Sequence, residues 1–350
     1  NIYKIEIMKI SIGYKNIHGP WGGGLNFSRL LTKFLEEKNI NVTTNLNSND
    51  IDIILLTEPR RYTRSSSFTH KDVNDYLKNI NYNSIVINRI NECDERKKTK
   101  GLNKFLINSS EISDYTVFIS SWLESLFISQ GFNKNSFTTI KNGADDNYFF
   151  KEKNYNLPKK FKVVTHHWGG NINKGFDAYK KLDTLLSNKN VRERFEFIFI
   201  GNLPKNFKFK NTKVIDPMNQ YEIGEFLRSC HIYITGSENE PAGMHHIEGA
   251  MCGLPILYIE SGGITEYCQK YGLSYNLESL ESKLLYLANN YEKHKEEMNN
   301  YEFTGKKMCD SYFQLFERLM DNRKEIIEER DISNKRLLNQ YKLGNKYFYI

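Results

Sequence analysis

The sequence predicts an α/β protein built from two doubly wound, parallel-sheet domains facing a cleft. Three observations carry this. Short, nearly all-apolar segments of strand length alternate with longer segments whose apolar residues recur at helical spacing. The alternation starts afresh near residues 150–160. The chain has 350 residues, enough for two domains of ordinary size. Strand–helix alternation implies a parallel sheet covered on both faces, and strands buried on both faces are apolar along their whole length.

Taken in order, "KIEIMKISIGY" is the first strand, "GPWGGG" (19–24) a glycine loop, and "LNFSRLLTKFLEEKN" a helix with Leu25, Leu30, Leu31, Phe34 and Leu35 at helical spacing. Further strands are expected at 52–58, 84–90, 115–120 and 136–142, with helical segments such as "WLESLFISQG" between some of them. After "NGADDNYFF" the scheme repeats: strand "FKVVTHHW", helix "FDAYKKLDTLLS", strand "FEFIFIGN", helix "YEIGEFLRSC", strand "HIYITGS", a helix opened by "EPAGMHH", and strand "PILYIE". The expected division is a first domain at 1–155 and a second at 156–302. A helix at about 303–320, with Phe313, Leu315, Phe316 and Leu319 on one face, is expected to pack back onto the first domain. A charged helical tail at 321–350 reads as an exposed helix or interaction surface. "MKISIGYK" from Met8 reads like a natural start, so residues 1–7 are expected to be an added remnant or part of a longer chain.

Composition narrows the function. Apolar residues make up 39% and aromatics 13%, enough for two cores. A net charge of +7 and a pI near 8.9 suit acidic partners such as sugar nucleotides or anionic lipid surfaces, the latter by peripheral contact. The densest basic run, "DERKKTK" (94–100), does not resemble a nucleic-acid arm and reads as a solvated loop, so no nucleic-acid partner is expected. Five cysteines, at 93, 230, 252, 268 and 309, are odd in number and lack metal-ligand spacing, which points to free thiols in a reducing, cytoplasmic setting. No signal peptide and no apolar run of membrane-spanning length is expected.

Three stretches carry chemistry. Gly22, Gly23 and Gly24 stand between a strand and a helix, where bare backbone approaches a phosphate and the helix start supplies amides. Phe27 occupies the place of the last glycine of a dinucleotide fingerprint, so this is not one. Lys174 precedes a helix in the loop after the second domain's first strand, where it can neutralise a diphosphate. In "ENEPAGMHHIEGAMCGLP" (238–255), Glu240 stands before a helix and Glu248 within it. Glu248 can accept two hydrogen bonds from a ribose diol, and Glu240 can reach a sugar ring. The amides of Ala242, Gly243 and Met244 can meet hydroxyls or phosphate, with Pro241 suited to the first turn. His245 and Glu248, three apart, lack an evident third ligand, so no metal site is expected.

The last stretch resembles the E-x7-E motif of retaining GT-B glycosyltransferases, in particular glycosyltransferase family 4. "SGGITE" (261–266), "KNGADDNYF" (141–149), "NKGFD" (173–177) and "GPWGGG" are similar to further motifs of that family, in its order, across residues 10 to 266. The resemblance implies the GT-B fold and a metal-independent, cofactor-free sugar transfer from a UDP- or GDP-linked donor, with retention of configuration, to a glycan, lipid-linked or other hydroxyl acceptor. It implies that Glu248 holds the ribose and Glu240 the transferred sugar, that Lys174 binds the diphosphate, and that Gly22 and Gly23 face it from the acceptor-side domain. "GNLP" (201–204) and "DPM" (216–218) occupy the family's nucleotide-base region. The family's arginine, five residues before the lysine, is replaced by Gly169, with His167, Trp168, Asn171 or Arg89 as possible substitutes. Arg89 also stands where the family often places a polar residue near the sugar. The alternatives are a GT-B sugar-nucleotide epimerase and a degenerate, non-catalytic partner subunit.

Overall fold

The structure is a computed structural model and describes residues 8–17, 22–152, 155, 157–332 and 337–338. Trp21, residues 1–7 and most of the tail beyond 332 lie outside the described residues. The chain divides into two compact units. One comprises Asn1–His18, Gly23–Lys141 and Met308–Ile350, the other Gly19–Gly22 and Asn142–Lys307.

The first unit holds six strands: β1 (Lys9–Ile12), β2 (Asn41–Thr43), β3 (Ile53–Leu56), β4 (Ile85–Ile90), β5 (Tyr115–Phe118) and β6 (Phe137–Thr139). They form one parallel sheet in the order β2-β1-β3-β4-β5-β6. Its connecting helices are α1 (Gly23–Glu37), α2 (His70–Asn79), α3 (Asp94–Lys97), α4 (Leu102–Ser109) and α5 (Ser121–Ser129). Every residue of β3 and β4 is buried, as strands covered on both faces require.

The second unit repeats the plan. Its strands are β7 (Phe161–His167), β8 (Phe195–Gly201), β9 (Lys213–Ile215), β10 (Ile232–Thr235), β11 (Ile256–Tyr258) and β12 (Gly272–Ser274). The parallel order is β12-β11-β10-β7-β8-β9. Around it run α6 (Phe176–Leu185), α7 (Lys189–Arg194), α8 (Gln220–Arg228), α9 (Met244–Met251), α10 (Ile264–Cys268), α11 (Leu280–Asn289) and α12 (Tyr291–Glu297). Its core is rich in aromatics, with Phe176, Tyr179, Phe197 and Phe199 packed between sheet and helices. Burying each such ring is worth roughly 1.5–3 kcal/mol.

The units part at residues 141/142 and 307/308, against the expected 155/156 and about 302/303. The strip from 142 is tied into the second unit: the Asn142 amide donates to the Tyr267 hydroxyl at 2.9 Å, and Ala144 forms a parallel bridge with Thr304. Two further helices, α13 (Gly305–Asp321) and α14 (Arg323–Glu329), follow. Tyr312, Leu315, Phe316 and Leu319 of α13 are buried, the face read from the sequence apart from Phe313, over which Lys38 stacks.

α14 has no buried residue, yet the tail is anchored at both its ends. Arg323 pairs with Asp52 at 3.0 Å. Arg330 makes a buried, two-pronged bond to Asp114 at 2.8 and 2.6 Å and donates to the Ser84 carbonyl at 2.7 Å. Ile332 and Leu337 join the apolar cluster of Ile51, Ile54 and Tyr76. The helix is exposed, as its charge suggested, while Arg323 and Arg330 are structural anchors.

Candidate active site

In each sheet the chain runs outward from its first strand in one direction, then returns to that strand's other side. In the second unit this reversal falls between β7 and β10. Crevices outside the carboxyl ends of strands at such a point are where open α/β sheets bind ligands. His166 and His167 end β7, the segment 236–243 follows β10, and α9 starts at Met244.

The segment from Asn171 to Gly175 is pinned against the loop that follows β10. The Glu238 amide donates to the Asn173 carbonyl at 3.0 Å, and the Ser237 hydroxyl to the Lys174 carbonyl at 3.4 Å. This delivers Lys174 to Glu240: its ammonium donates to Glu240 Oε2. Glu240 is buried and the Lys174 side chain nearly so.

Glu240 is fixed from behind by the "SGG" turn. The Gly263 amide donates to the Glu240 carbonyl at 2.9 Å and the Asn239 amide to Ser261 Oγ at 2.8 Å. Gly262 has φ +63°, and a Cβ there would stand 2.6 Å from the Glu240 carbonyl oxygen and 2.8 Å from its nitrogen. Only glycine lets the turn pass so close in that conformation. The "SGG" of "SGGITE" thus seats Glu240.

Glu248 lies on the buried face of α9, which presses against β10 at Gly249, where a Cβ would meet the Tyr233 ring at 2.3 Å. Its Oε2 accepts from His166 Nε2 at 2.6 Å. The Tyr233 hydroxyl lies 3.0 Å from His166 Nδ1, and burial raises the Tyr233 phenol well above its usual pKa, so it remains a protonated donor. The two ring nitrogens of His166 are thus bonded on either side, Nε2 to the carboxylate and Nδ1 to the Tyr233 hydroxyl. All three side chains are buried. The role of His166 depends on β7 lying beside β10.

Three neighbouring histidines, His167, His245 and His246, are neutral. His167 bonds to the Tyr179 hydroxyl at 2.5 Å, His245 Nε2 to Thr235 Oγ1 at 2.9 Å, and His246 Nε2 to the Ala242 carbonyl. Burial, then the positive charge of Lys174, drives His167 well below the ordinary imidazole value. Burial and the neighbouring imidazoles do the same to His245, and burial takes His246 down to about 4. His167 therefore cannot supply the charge of the missing arginine. Trp168 and Asn171 are exposed and uncharged. At Gly169 a Cβ would meet nothing within 4 Å, so the arginine's place is open.

Ala242 is buried, while Gly243, at φ +64°, and Met244 are half-buried at the start of α9. Gly22 and Gly24 are exposed at the start of α1. Arg89, expected beside the sugar, is buried in the first unit. Its Nε donates to the Tyr312 hydroxyl at 3.1 Å and its guanidinium stacks 3.7 Å over the Phe27 ring, one turn into α1. That contact packs Arg89 against α1. The structure thus brings Lys174, Glu240, Glu248 and the start of α9 together in the second unit.

Residues 151–305 match the sequence profile of the family described as Glycosyl transferases group 1. No curated protein matches the chain in sequence. Among solved structures, HepE from Anabaena, in complex with UDP and glucose, is 14% identical, with 89% of this chain and 100% of its own covered and a TM-score of 0.65. Sucrose-phosphate synthase from Thermosynechococcus elongatus is 11% identical, with 90% and 99% covered and a TM-score of 0.65. A glycosyltransferase from Rickettsia africae is 14% identical, with 93% and 100% covered and a TM-score of 0.63. The structural likeness is one of fold, the GT-B fold with its two parallel six-stranded sheets, and the sequence likeness lies over the second unit, as a Glycosyl transferases group 1 domain.

Proposed function

We propose that the chain is a retaining glycosyltransferase. It moves a sugar from a nucleoside-diphosphate donor to an acceptor hydroxyl in glycan or polysaccharide synthesis, without a metal or other cofactor. The observation that carries this is the joint placement, at the β7/β10 reversal, of Lys174 on Glu240 and of His166 on Glu248. A solved protein of like fold holds UDP and glucose, which makes a uridine donor the first to test.

In this reading the diphosphate takes the Lys174 ammonium from Glu240, and Glu240 turns its freed oxygen to a sugar hydroxyl. Glu248, held by His166, accepts the ribose diol. Breaking the sugar–phosphate bond leaves an oxocarbenium-like sugar and places extra negative charge on the diphosphate. Lys174 and the amides at the start of α9 are aimed at that charge; losing one such donor typically costs on the order of 10²–10³ in rate. The departing phosphate accepts the acceptor's proton, so attack comes on the face it vacates. Gly22, Gly23 and Gly24 offer further amides, and Arg89 acts as a positioning residue that sets α1 through Phe27. Among the described residues no helix is long and apolar enough to cross a membrane; we place the reaction in the cytoplasm, with peripheral membrane contact compatible with the charge.

The test is product NMR with UDP- and GDP-sugars. Wild type should release nucleoside diphosphate and a sugar product of retained configuration, and Lys174→Ala and Glu240→Ala should lose at least about a hundredfold in rate. Turnover undiminished in both variants would remove the site. An altered but intact sugar nucleotide would make the protein an epimerase.

A further inference from the structure

Trp168, the first residue after β7, is a large aromatic side chain left 40% exposed at the carboxyl edge of the second unit's sheet. The rings around it behave differently. His167, Tyr179, Phe176 and Phe199 pack on one another, whereas among the described residues no ring and no cation lies against the Trp168 indole.

A lone exposed ring on loose chain is ordinary. The backbone here is held. β7 and β8 pair along their whole length, up to His167 and Gly201, and the pairing is carried past the strand ends. The Asn202 amide donates to the His167 carbonyl at 3.4 Å, and its side-chain Nδ2 donates to the Trp168 carbonyl at 2.8 Å. Gly201, at φ +133°, lies so close that a Cβ there would stand 1.9 Å from the His167 carbonyl oxygen. A Cβ on Gly170 would stand 2.9 Å from the Leu203 carbonyl oxygen. Loops 168–170 and 201–203 are therefore stitched into one edge. That edge presents apolar ring surface to water, which a stacked ligand would remove from it.

Strand geometry relates this edge to the carboxylates. Side chains alternate along a strand. His166 turns to Glu248 on α9, and His167 to Tyr179 on α6. Trp168 follows, two residues past His166 and about 7 Å farther out along the chain. A nucleotide with its diphosphate at Lys174 and its ribose diol at Glu248 carries its base at the other end of the ribose, within reach of this edge.

We propose that Trp168 stacks on the nucleobase of the donor. It supplies affinity for the base and little choice between uracil and guanine, because every base has a π-face. The proposal rests on the donor reading of Lys174 and Glu248.

The experiment is calorimetric titration of the full chain with UDP, GDP and inorganic pyrophosphate, beside tryptophan fluorescence. It uses wild type, Trp168→Ala, Trp168→Phe and Lys174→Met. Trp168→Ala should weaken the bound nucleotide about ten- to a hundredfold, and Trp168→Phe, which keeps a ring, by no more than about threefold. Pyrophosphate has no base and should bind wild type and Trp168→Ala alike. A merely structural role would not give the optical result: nucleotide quenches the emission of wild type, and the quench is absent in Trp168→Phe, which retains Trp21 and Trp122. Nucleotide affinity unchanged in Trp168→Ala, pyrophosphate weakened as much as nucleotide, or an equal quench in Trp168→Phe overturns the proposal. Nucleotide binding that needs Lys174 but not Trp168 overturns it and keeps the transferase reading. Binding that needs Trp168, with no sugar turnover, keeps the stack and removes the transferase reading. If neither nucleotide binds wild type, both fall.

Discussion

Gly262→Ala tests whether the "SGG" turn seats Glu240. The turn is remote from Glu240 in sequence and carries no reactive group. At φ +63° an alanine is strained by about 1–2 kcal/mol. Its Cβ would also stand 2.6 Å from the Glu240 carbonyl oxygen, where ordinary contact begins at 3.4 Å. Relieving that overlap moves one backbone against the other by most of an ångström, and the Gly263–Glu240 hydrogen bond moves with it. A displacement of about 1 Å at a positioned group costs on the order of 10² in rate. The assay is steady-state sugar transfer beside a urea melt. The expected result is a fall of about a hundredfold in kcat with a stability loss of only about 1–3 kcal/mol. Gly169→Ala serves as control, since nothing lies within 4 Å of its Cβ. Wild-type kcat in Gly262→Ala, with the strain seen only in stability, would refute the reasoning.

Three further outcomes are expected. His166→Phe keeps the ring but removes the donor to Glu248, so donor KM should rise about tenfold with a smaller change in kcat; equal KM would show that Glu248 needs no support. Gly169→Arg places a guanidinium in open space beside the Lys174 loop and should tighten nucleoside diphosphate binding about three- to tenfold by calorimetry; no gain would mean the phosphate does not pass there. The third outcome concerns acid. His167, His245 and His246 are neutral when folded and titrate near 6.5 when unfolded, so the unfolded chain binds more protons below that pH. Their contribution is intact above pH 6.5 and is lost as pH falls toward about 4, where His246 protonates in the fold. Between pH 7.5 and 5.5 each costs up to about 1.4 kcal/mol, about 4 kcal/mol together; urea melts showing equal stability at the two values would contradict this.

The fold was legible because central strands buried on both faces are mostly apolar, and 52–58, 84–90 and 115–120 each carry an apolar run. The edge strands β2, β9 and β12 were not: each has three residues, none buried, so no apolar run marks them. α2 went unnamed although Thr69 and Asp72 form a capping box that can be read from their spacing. At the site, Lys174, Glu240 and Glu248 were visible as a familiar spacing, but their partners were not. His166 meets Glu248 across 82 positions because β7 pairs with β10, and no local pattern encodes a sheet order. The same holds for Arg330 and Asp114, 216 positions apart. Charge signs were readable throughout; whether a charge is solvated or built in depends on such distant partners.

The most direct measurement is a calorimetric titration of wild type and Lys174→Met with UDP and GDP. The account predicts that one of the two nucleotides binds wild type and that removing the Lys174 ammonium weakens it by about ten- to a hundredfold. Failure of both nucleotides to bind, or affinity indifferent to Lys174, would contradict it.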